Sequence, residues 1–319
     1  MRKVLISGGL GFIGRHLVRH LLSRPNPYQV TVVDDLSGSD LSAKSIASLQ
    51  KSADIKVMDF LDYAYTGENF DDIYHLASPV GAIGILAKSG KIAKQILDLA
   101  DKATEIALLS SSRLMYISSS EIYYSSPNQQ EESDILLTIH AGARIEYAMG
   151  KYAGEVAVRN MGIAKKLEYN ICRPFNLIGE EQSSKLGFVV PRFMEACLIH
   201  ADLKVFGDGT QERSFCDIND FIPALVQFQE GKITYETLNI GNLHNRTTIL
   251  NLAQTIKNIT GSPSKIRCID PVSKYGSLYM EGGEKLANVE KANRLIHLNL
   301  TPNLIEVLKR IHQSYKMPH

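Results

Sequence analysis

No run of 18 or more apolar residues occurs in this 319-residue chain, so nothing in it reads as a membrane span. An excess of one charge is missing too: 35 Lys and Arg stand against 34 Asp and Glu. No basic run is interleaved with aromatics, so neither nucleic acid nor an anionic membrane surface is an expected partner. Cysteine is scarce. Cys172, Cys197, Cys216 and Cys268 are far apart and form no CxxC or Cys/His spacing. That argues against a disulfide frame and for buried free thiols in a reducing, cytoplasmic setting. His16 and His20 lie four apart, but no third ligand accompanies them; a solvated helix face is expected, and no metal. Repeats and low-complexity linkers are absent. The charged start followed by apolar residues superficially resembles a signal peptide, yet glycines break it and no small-residue cleavage site follows, so it reads as a strand.

What is present is an ordinary globular composition, 44% hydrophobic and 22% charged, with room for one or two domains. The most informative stretch is KVLIS (3–7), a buried strand pattern, running into Gly8-Gly9-Leu10-Gly11-Phe12-Ile13-Gly14. Gly8, Gly11 and Gly14 recur every third residue, and an amphipathic run, Phe12 to Leu22, follows at once. A strand, a glycine turn and a helix start bring backbone N–H groups, those of Phe12 and Ile13 included, close to a pyrophosphate. QVTVV (29–33) then ends in Asp34-Asp35, 20 residues after Gly14. A carboxylate there accepts hydrogen bonds from an adenosine ribose and repels a 2′-phosphate, so Asp34 predicts NAD rather than NADP; Asp35 reads as the start of a loop. Asp59-Phe60, after the third strand, falls where the adenine would lie.

Strand-like and helix-like segments alternate through the first half. QVTVV, DIKVM (54–58), DIYHLA (72–77), RLMYISS (113–119) and LEYNICR (167–173) read as strands. Lys88–Ser110 and 146–161 read as helices, the second with Ala148, Ala153 and Ala157 suited to close helix packing. This predicts an α/β fold, a doubly wound parallel Rossmann sheet with ligands at the carboxyl ends of its strands. After Arg173 shorter elements follow, punctuated by glycine and by prolines such as Pro191. LKVFG (203–207) reads as an isolated strand, and helices are expected at about 219–229, 247–260, 288–296 and 304–315. ETLNI (236–240) should return to the large sheet. The expected division is a cofactor domain over 1–175, rejoined by about 212–242, and a smaller α/β substrate domain over 176–319 that shares one interface with it.

Tyr147 and Lys151 are four apart in a helical segment and therefore share a face. An ammonium beside a phenol favours the phenolate, which makes Tyr147 a candidate base. Ser118-Ser119-Ser120-Glu121 ends the strand RLMYISS, where this architecture puts ligands. A hydroxyl there can hold a substrate alcohol while Tyr147 takes its proton, and Glu121 supplies a carboxylate for a second proton transfer. His75, at a strand end, reads as structural.

Gly-x-x-Gly-x-x-Gly (8–14), HLAS (75–78), SSSEIY (118–123), Tyr147-x-x-x-Lys151 and RPFN (173–176) occur in one order, followed by GDGTQERSF (207–215), NIGN (239–242) and NVEKA (288–292). In this the chain resembles the extended short-chain dehydrogenases/reductases over nearly its whole length. The resemblance implies bound NAD contacted also by Leu76, Ala77 and Ser78, and a homodimer. It implies Ser119 as the hydroxyl, Tyr147 as the base, and Lys151 as the group that lowers its pKa and holds the ribose. Asn176 and Arg213, and secondarily Arg192, would hold a substrate diphosphate. HLASP, Ser119-Ser120-Glu121 and RPFN most resemble the UDP-glucuronate decarboxylase (UDP-xylose synthase) branch, which implies C4 oxidation, loss of CO2 and re-reduction. Ser120 and Glu121 would then handle the carboxylate or the C5 proton, beside Arg213. A 4-epimerase, a 4,6-dehydratase, and a non-catalytic NAD-sensing protein are the alternatives. The chain departs from the pattern where Tyr124 replaces a glycine, where QILDLADKA (95–103) replaces Asn-x-x-Gly-Thr, and where Lys285-Leu286 stands for a nucleotide-contacting Arg.

Overall fold

The computed structural model describes residues 1–123, 141–282 and 284–316; Tyr124 lies outside them. Seven strands form one parallel sheet: β1 Lys3–Ser7, β2 Gln29–Asp34, β3 Asp54–Val57, β4 Asp72–His75, β5 Arg113–Ile117, β6 Tyr169–Pro174 and β7 Glu236–Ile240, in the order β7-β6-β5-β4-β1-β2-β3. The order reverses between β1 and β4, and ligands of such sheets bind beyond the carboxyl ends at that point. The strand ETLNI does return to the large sheet, as its edge.

Helices cover both faces because the strands are apolar on both. Leu17, Val18 and Leu21 of α1 (Phe12–Leu22) share one cluster with Val4, Ile6, Phe221, Leu225 and Phe228. On the other face Leu99, Ala103 and Ile106 pack with Leu5, Ile73, Leu114, Tyr116 and Val158. A third cluster joins Phe193, Met194, Leu203, Val205, Leu252, Ile256, Val307 and Ile311, all in the second half of the chain.

Three elements differ from expectation. The helix expected over 88–110 starts later, as α3 (Ile92–Leu109), because Gly90 turns the chain at φ +84°, and a short helix not expected, α2 (Ala82–Leu86), precedes it. The first N–H groups of α3 are met by one carboxylate: Glu146 accepts from Gly90 at 2.6 Å and from Ile92 at 2.8 Å. Glu146 belongs to α4 (Ala143–Lys165), so the two helices are tied where α3 begins. The region read as punctuated by Pro191 contains a helix, α5 (Val189–Leu198); the proline sits in its first turn, where its missing N–H costs nothing. LKVFG is not isolated, since Leu203–Phe206 pairs in parallel with Ile266–Ile269. Two glycines that the sequence reading did not single out let α4 pack closely: a Cβ on Gly150 would come within 2.8 Å of Ala93 Cα, and one on Gly154 would overlap the Tyr116 hydroxyl. None of the four cysteines is in a disulfide; Cys172, Cys197 and Cys216 are buried, whereas Cys268 is exposed.

Candidate active site

Two adjoining cavities, of about 300 and 160 Å³, share Phe12, Ile13, Leu76, Val80 and Phe188 as a common wall. The smaller is framed by the glycine turn. Gly8 has φ +72°, and a Cβ on it would lie 2.7 Å from the Ala77 nitrogen. A Cβ on Gly14 would overlap the Gly8 carbonyl, so these two glycines serve the turn itself. Gly11 is different. Its φ of −69° and ψ of −179° suit any residue, and a Cβ there would meet only the Gly8 oxygen, at 3.4 Å. The space it leaves opens into the cavity at the start of α1, which has no side-chain cap and no acid in its first turn. A helix start so built attracts an anion.

Asp34 is buried at the end of β2 and accepts from the Leu10 and Leu36 N–H groups, each at 2.8 Å. It thereby holds the glycine turn, and burial raises its pKa. Asp35, read as a loop residue, lines the same cavity beside Asp59, Phe60, Leu76, Ala77 and Ser78. The Asp59 carboxylate also caps the Leu61 N–H at 2.9 Å. A glycine turn with space at Gly11, an uncapped helix start and carboxylates at the far end fit a dinucleotide of the NAD type. Sequence reading missed Arg15, which lines this cavity although almost fully buried, its Nη2 donating to the Glu181 carbonyl at 2.8 Å. His16 bonds the Glu180 carbonyl through its ring nitrogen, so it is not a free ligand on a solvated face. His75 is structural in geometry: its ring meets Ser7 Oγ at 2.7 Å and lies against Phe60 and Tyr116.

A Gly11→Val substitution should leave the fold intact and fill the cradle. NAD affinity is expected to fall at least about tenfold, about 1.4 kcal/mol, with an unchanged thermal midpoint. Unchanged affinity by fluorescence titration would remove Gly11 from the cofactor site.

The larger cavity brings together Ser118, Ser119, Ser120, Glu121, Tyr147, Lys151, Asn176, Arg192 and Arg213, residues scattered over about a hundred positions. β5 ends at Ile117, which delivers the serines to the cavity, while α4 supplies Tyr147 and Lys151 from one face. Lys151 Nζ donates to the Ile117 carbonyl at 2.8 Å and stands 5.9 Å from the Tyr147 ring centre. Burial lowers the Lys151 pKa to about 7, against the pull of Glu155. Burial also raises the Tyr147 phenol, opposed by the hydroxyls of Ser119 and Ser78. Burial thus works against the expectation that Lys151 draws this phenol toward neutrality.

Glu121 is the most constrained acid in the site. One oxygen accepts from Arg144 Nη1 at 2.5 Å and the other lies 3.0 Å from Lys285 Nζ. Burial opposes ionisation, but these two cations, with Arg213 farther off, hold its pKa down at about 2. Asn176 stands in the wall, yet its NH2 group is spent on the carbonyls of Ser214 at 2.9 Å and Lys285 at 3.4 Å. Arg213 likewise donates to the carbonyls of Glu212 and Gly282. Arg192 lies over the Phe206 ring, 4.2 Å from its centre. Arg144 and Lys285 were not singled out by sequence as site residues. The signal for Arg144 was its place three residues before Tyr147 on one helix face.

The model of the NAD dependent epimerase/dehydratase family matches residues 4–241. The chain is 30% identical over 290 residues to UDP-N-acetyl-alpha-D-glucosaminuronate decarboxylase of Bacillus cytotoxicus, covering 90% of this chain and 88% of that protein. It is 29% identical over 273 residues to UDP-glucuronic acid decarboxylase 3 of Arabidopsis thaliana, covering 84% and 77%. Among solved structures, UDP-glucuronic acid 4-epimerase from Bacillus cereus, in complex with UDP-glucuronic acid and NAD, superposes with a TM-score of 0.84 at 25% identity, covering 98% and 99%.

Proposed function

Since this chain belongs to the NAD-dependent epimerase/dehydratase family, we propose that it decarboxylates a UDP-hexuronate, oxidising C4, releasing CO2 and restoring the C4 alcohol. When bound, NAD would supply the acceptor and later the donor of one hydride. Residues of the glycine turn with Asp34, Asp59 and the 76–78 segment would hold it, and Lys151 would reach its ribose. Ser119 orients the C4 hydroxyl, and Tyr147 takes its proton. A ketone at C4 lies β to the C5 carboxylate. The C5–carboxylate bond then breaks with its electron pair delocalised into an enolate, CO2 leaves, and C5 takes up one proton.

The single observation that carries this reading is Glu121, ionised between Arg144 and Lys285 with a pKa near 2. A 4,6-elimination requires a base at C5, and a carboxylate so strongly stabilised is a poor one. Loss of CO2 requires no such base. The two decarboxylase relatives favour the same branch, and the acetamido substrate named for the Bacillus cytotoxicus protein makes the C2 substituent a variable to test. The protein should be incubated with UDP-glucuronate, its 2-acetamido counterpart, UDP-glucose and UDP-N-acetylglucosamine, with products read by mass spectrometry. Loss of one CO2 from either uronate is expected. Loss of water would assign a dehydratase, an unchanged mass with a new chromatographic peak an epimerase, and no CO2 from either uronate overturns the proposal.

A further inference from the structure

Three cations gather around Glu121. Arg144, Lys285 and Arg213 face two carboxylates, Glu121 and Glu281, the latter 3.5 Å from Arg213 and bonded by the Tyr279 hydroxyl at 2.7 Å. Glu284 also faces Arg213, and Glu281 also faces Arg144. Of these cations Arg144 lies beside Tyr147 in the cavity wall and keeps donors to spare. Lys285 is buried behind Glu121, bonded also to the Ser120 carbonyl at 3.3 Å, and is not part of the cavity wall. Arg213 gives one bond from each terminal nitrogen to a backbone carbonyl and faces Glu281, so it is turned toward the 281–282 segment. Arg144 donates Nε to the Met280 carbonyl at 3.0 Å and Nη1 to Glu121, while its Nη2 has no partner among the described residues. Its guanidinium lines the cavity with Ser119, Ser120 and Tyr147.

The placement fits one ligand group. Arg144 lies three residues before Tyr147 on α4, hence on the same face and about 4.5 Å away along the axis. A sugar with its C4 hydroxyl at Tyr147 has its C5 substituent about one bond-chain away, within reach of that guanidinium. Guanidinium recognises carboxylate through paired, charge-assisted N–H donors. The arginine is also held rigid, because the Ala143 N–H donates to the Leu278 carbonyl and a Cβ on Gly142 would overlap the Met280 side chain. We propose that Arg144 is the specificity-determining residue that binds the C5 carboxylate of the sugar, with Glu121 and Lys285 as positioning residues that aim it. The proposal rests on the nucleotide-uronate reading above and assigns the carboxylate to Arg144 rather than to Glu121 or Arg213.

The test is calorimetric binding of UDP-glucuronate, UDP-glucose and UDP to the NAD-loaded protein, with CO2 release measured alongside. Arg144→Met should weaken UDP-glucuronate about ten- to hundredfold, the range for hydrogen bonds to a charged group. UDP-glucose and UDP should change less than about threefold, below half a decade in affinity. Arg144→Lys keeps the charge without the fork and should fall between, which also covers poor folding of the methionine variant. Equal weakening of all three ligands, or an unchanged uronate preference, overturns the assignment. If the wild type releases no CO2 yet prefers UDP-glucuronate through Arg144, the carboxylate site stands and decarboxylation falls. If Arg144→Met still releases CO2 with the wild-type KM, decarboxylation stands and the site falls.

Discussion

Tyr147→Phe should leave the protein folded and able to bind NAD, while turnover of a UDP-uronate falls about 10²- to 10⁴-fold, the usual contribution of a positioned acid–base group. The ring is buried and packs with Ile85, Ile92 and Ile96, so removing one oxygen alters the packing little. In the proposed mechanism the hydroxyl is where the chemistry lies. It faces Ser119 and Ser78, and among the described residues nothing else in the cavity combines a titratable proton with that position. Lys151 and Glu121 flank it with opposite charges, but Lys151 is tied to the Ile117 carbonyl and Glu121 to two cations. Neither is free to take over the proton. The loss should therefore appear in kcat, with KM for the uronate changed less than about threefold, as expected when an interaction made only in the transition state is removed. Two outcomes would contradict the assignment: turnover within a factor of about ten of the wild type, or a loss confined to KM. A non-catalytic NAD-sensing protein would show no dependence on this hydroxyl at all. NAD retention, read by absorbance after gel filtration, guards against mistaking a lost cofactor for a lost base.

The parts of this site that were legible in the sequence are those in which one element carries the whole signal. The glycine turn is a single junction, and Tyr147 with Lys151 is a single helix face. The sheet was readable because strands buried on both faces are apolar runs, which VLI and TVV display directly. Where the pattern misled, two physical effects competed. Pro191 reads as a loop residue until it falls in a first helical turn, and Gly90 ends an apolar periodicity that otherwise runs through it. Ile266–Ile269 was missed because Arg267 and Cys268 are exposed, so the strand lacks a buried face. The Arg144–Glu121–Lys285 cluster was invisible for a different reason. Its members come from α4, the turn after β5, and a segment near residue 285, and no local period joins them. Lys285 was seen only as a departure from an expected arginine, whereas its buried ammonium stands 3.0 Å from Glu121. Asn176 shows the converse: a motif residue in the right wall whose NH2 group the fold has already used.

Arg173→Met should destabilise the protein by about 3–5 kcal/mol, the cost of breaking a buried ion pair by removing one partner. Arg173, at the end of β6, is 2% exposed and its partner Glu155 on α4 is fully buried. The contact is bidentate, with Nε to one carboxylate oxygen at 2.8 Å and Nη2 to the other at 2.7 Å. Nη1 donates to the Tyr123 hydroxyl at 2.7 Å, which donates in turn to Asn239 on β7 at 2.8 Å. After the substitution Glu155 retains Arg159, at 2.9 Å, an arginine that is itself about a third exposed and so a weaker counter-charge. Arg173→Lys should recover little, since an ammonium cannot reproduce the planar fork. The informative comparison is Glu155→Gln combined with Arg173→Met. Removing both charges should cost less than removing Arg173 alone, because no buried ion is then left unpaired. Urea midpoints for the two single variants and the double variant decide the matter; a double variant as unstable as the sum of the singles would mean that the residues act independently. The consequence reaches the chemistry through the helix. Glu155 is one turn beyond Lys151 and is what holds the Lys151 pKa up against burial. In RPFN the arginine therefore braces the helix that carries Tyr147 and Lys151 against the sheet, and its loss should lower kcat further than the fraction of unfolded protein accounts for.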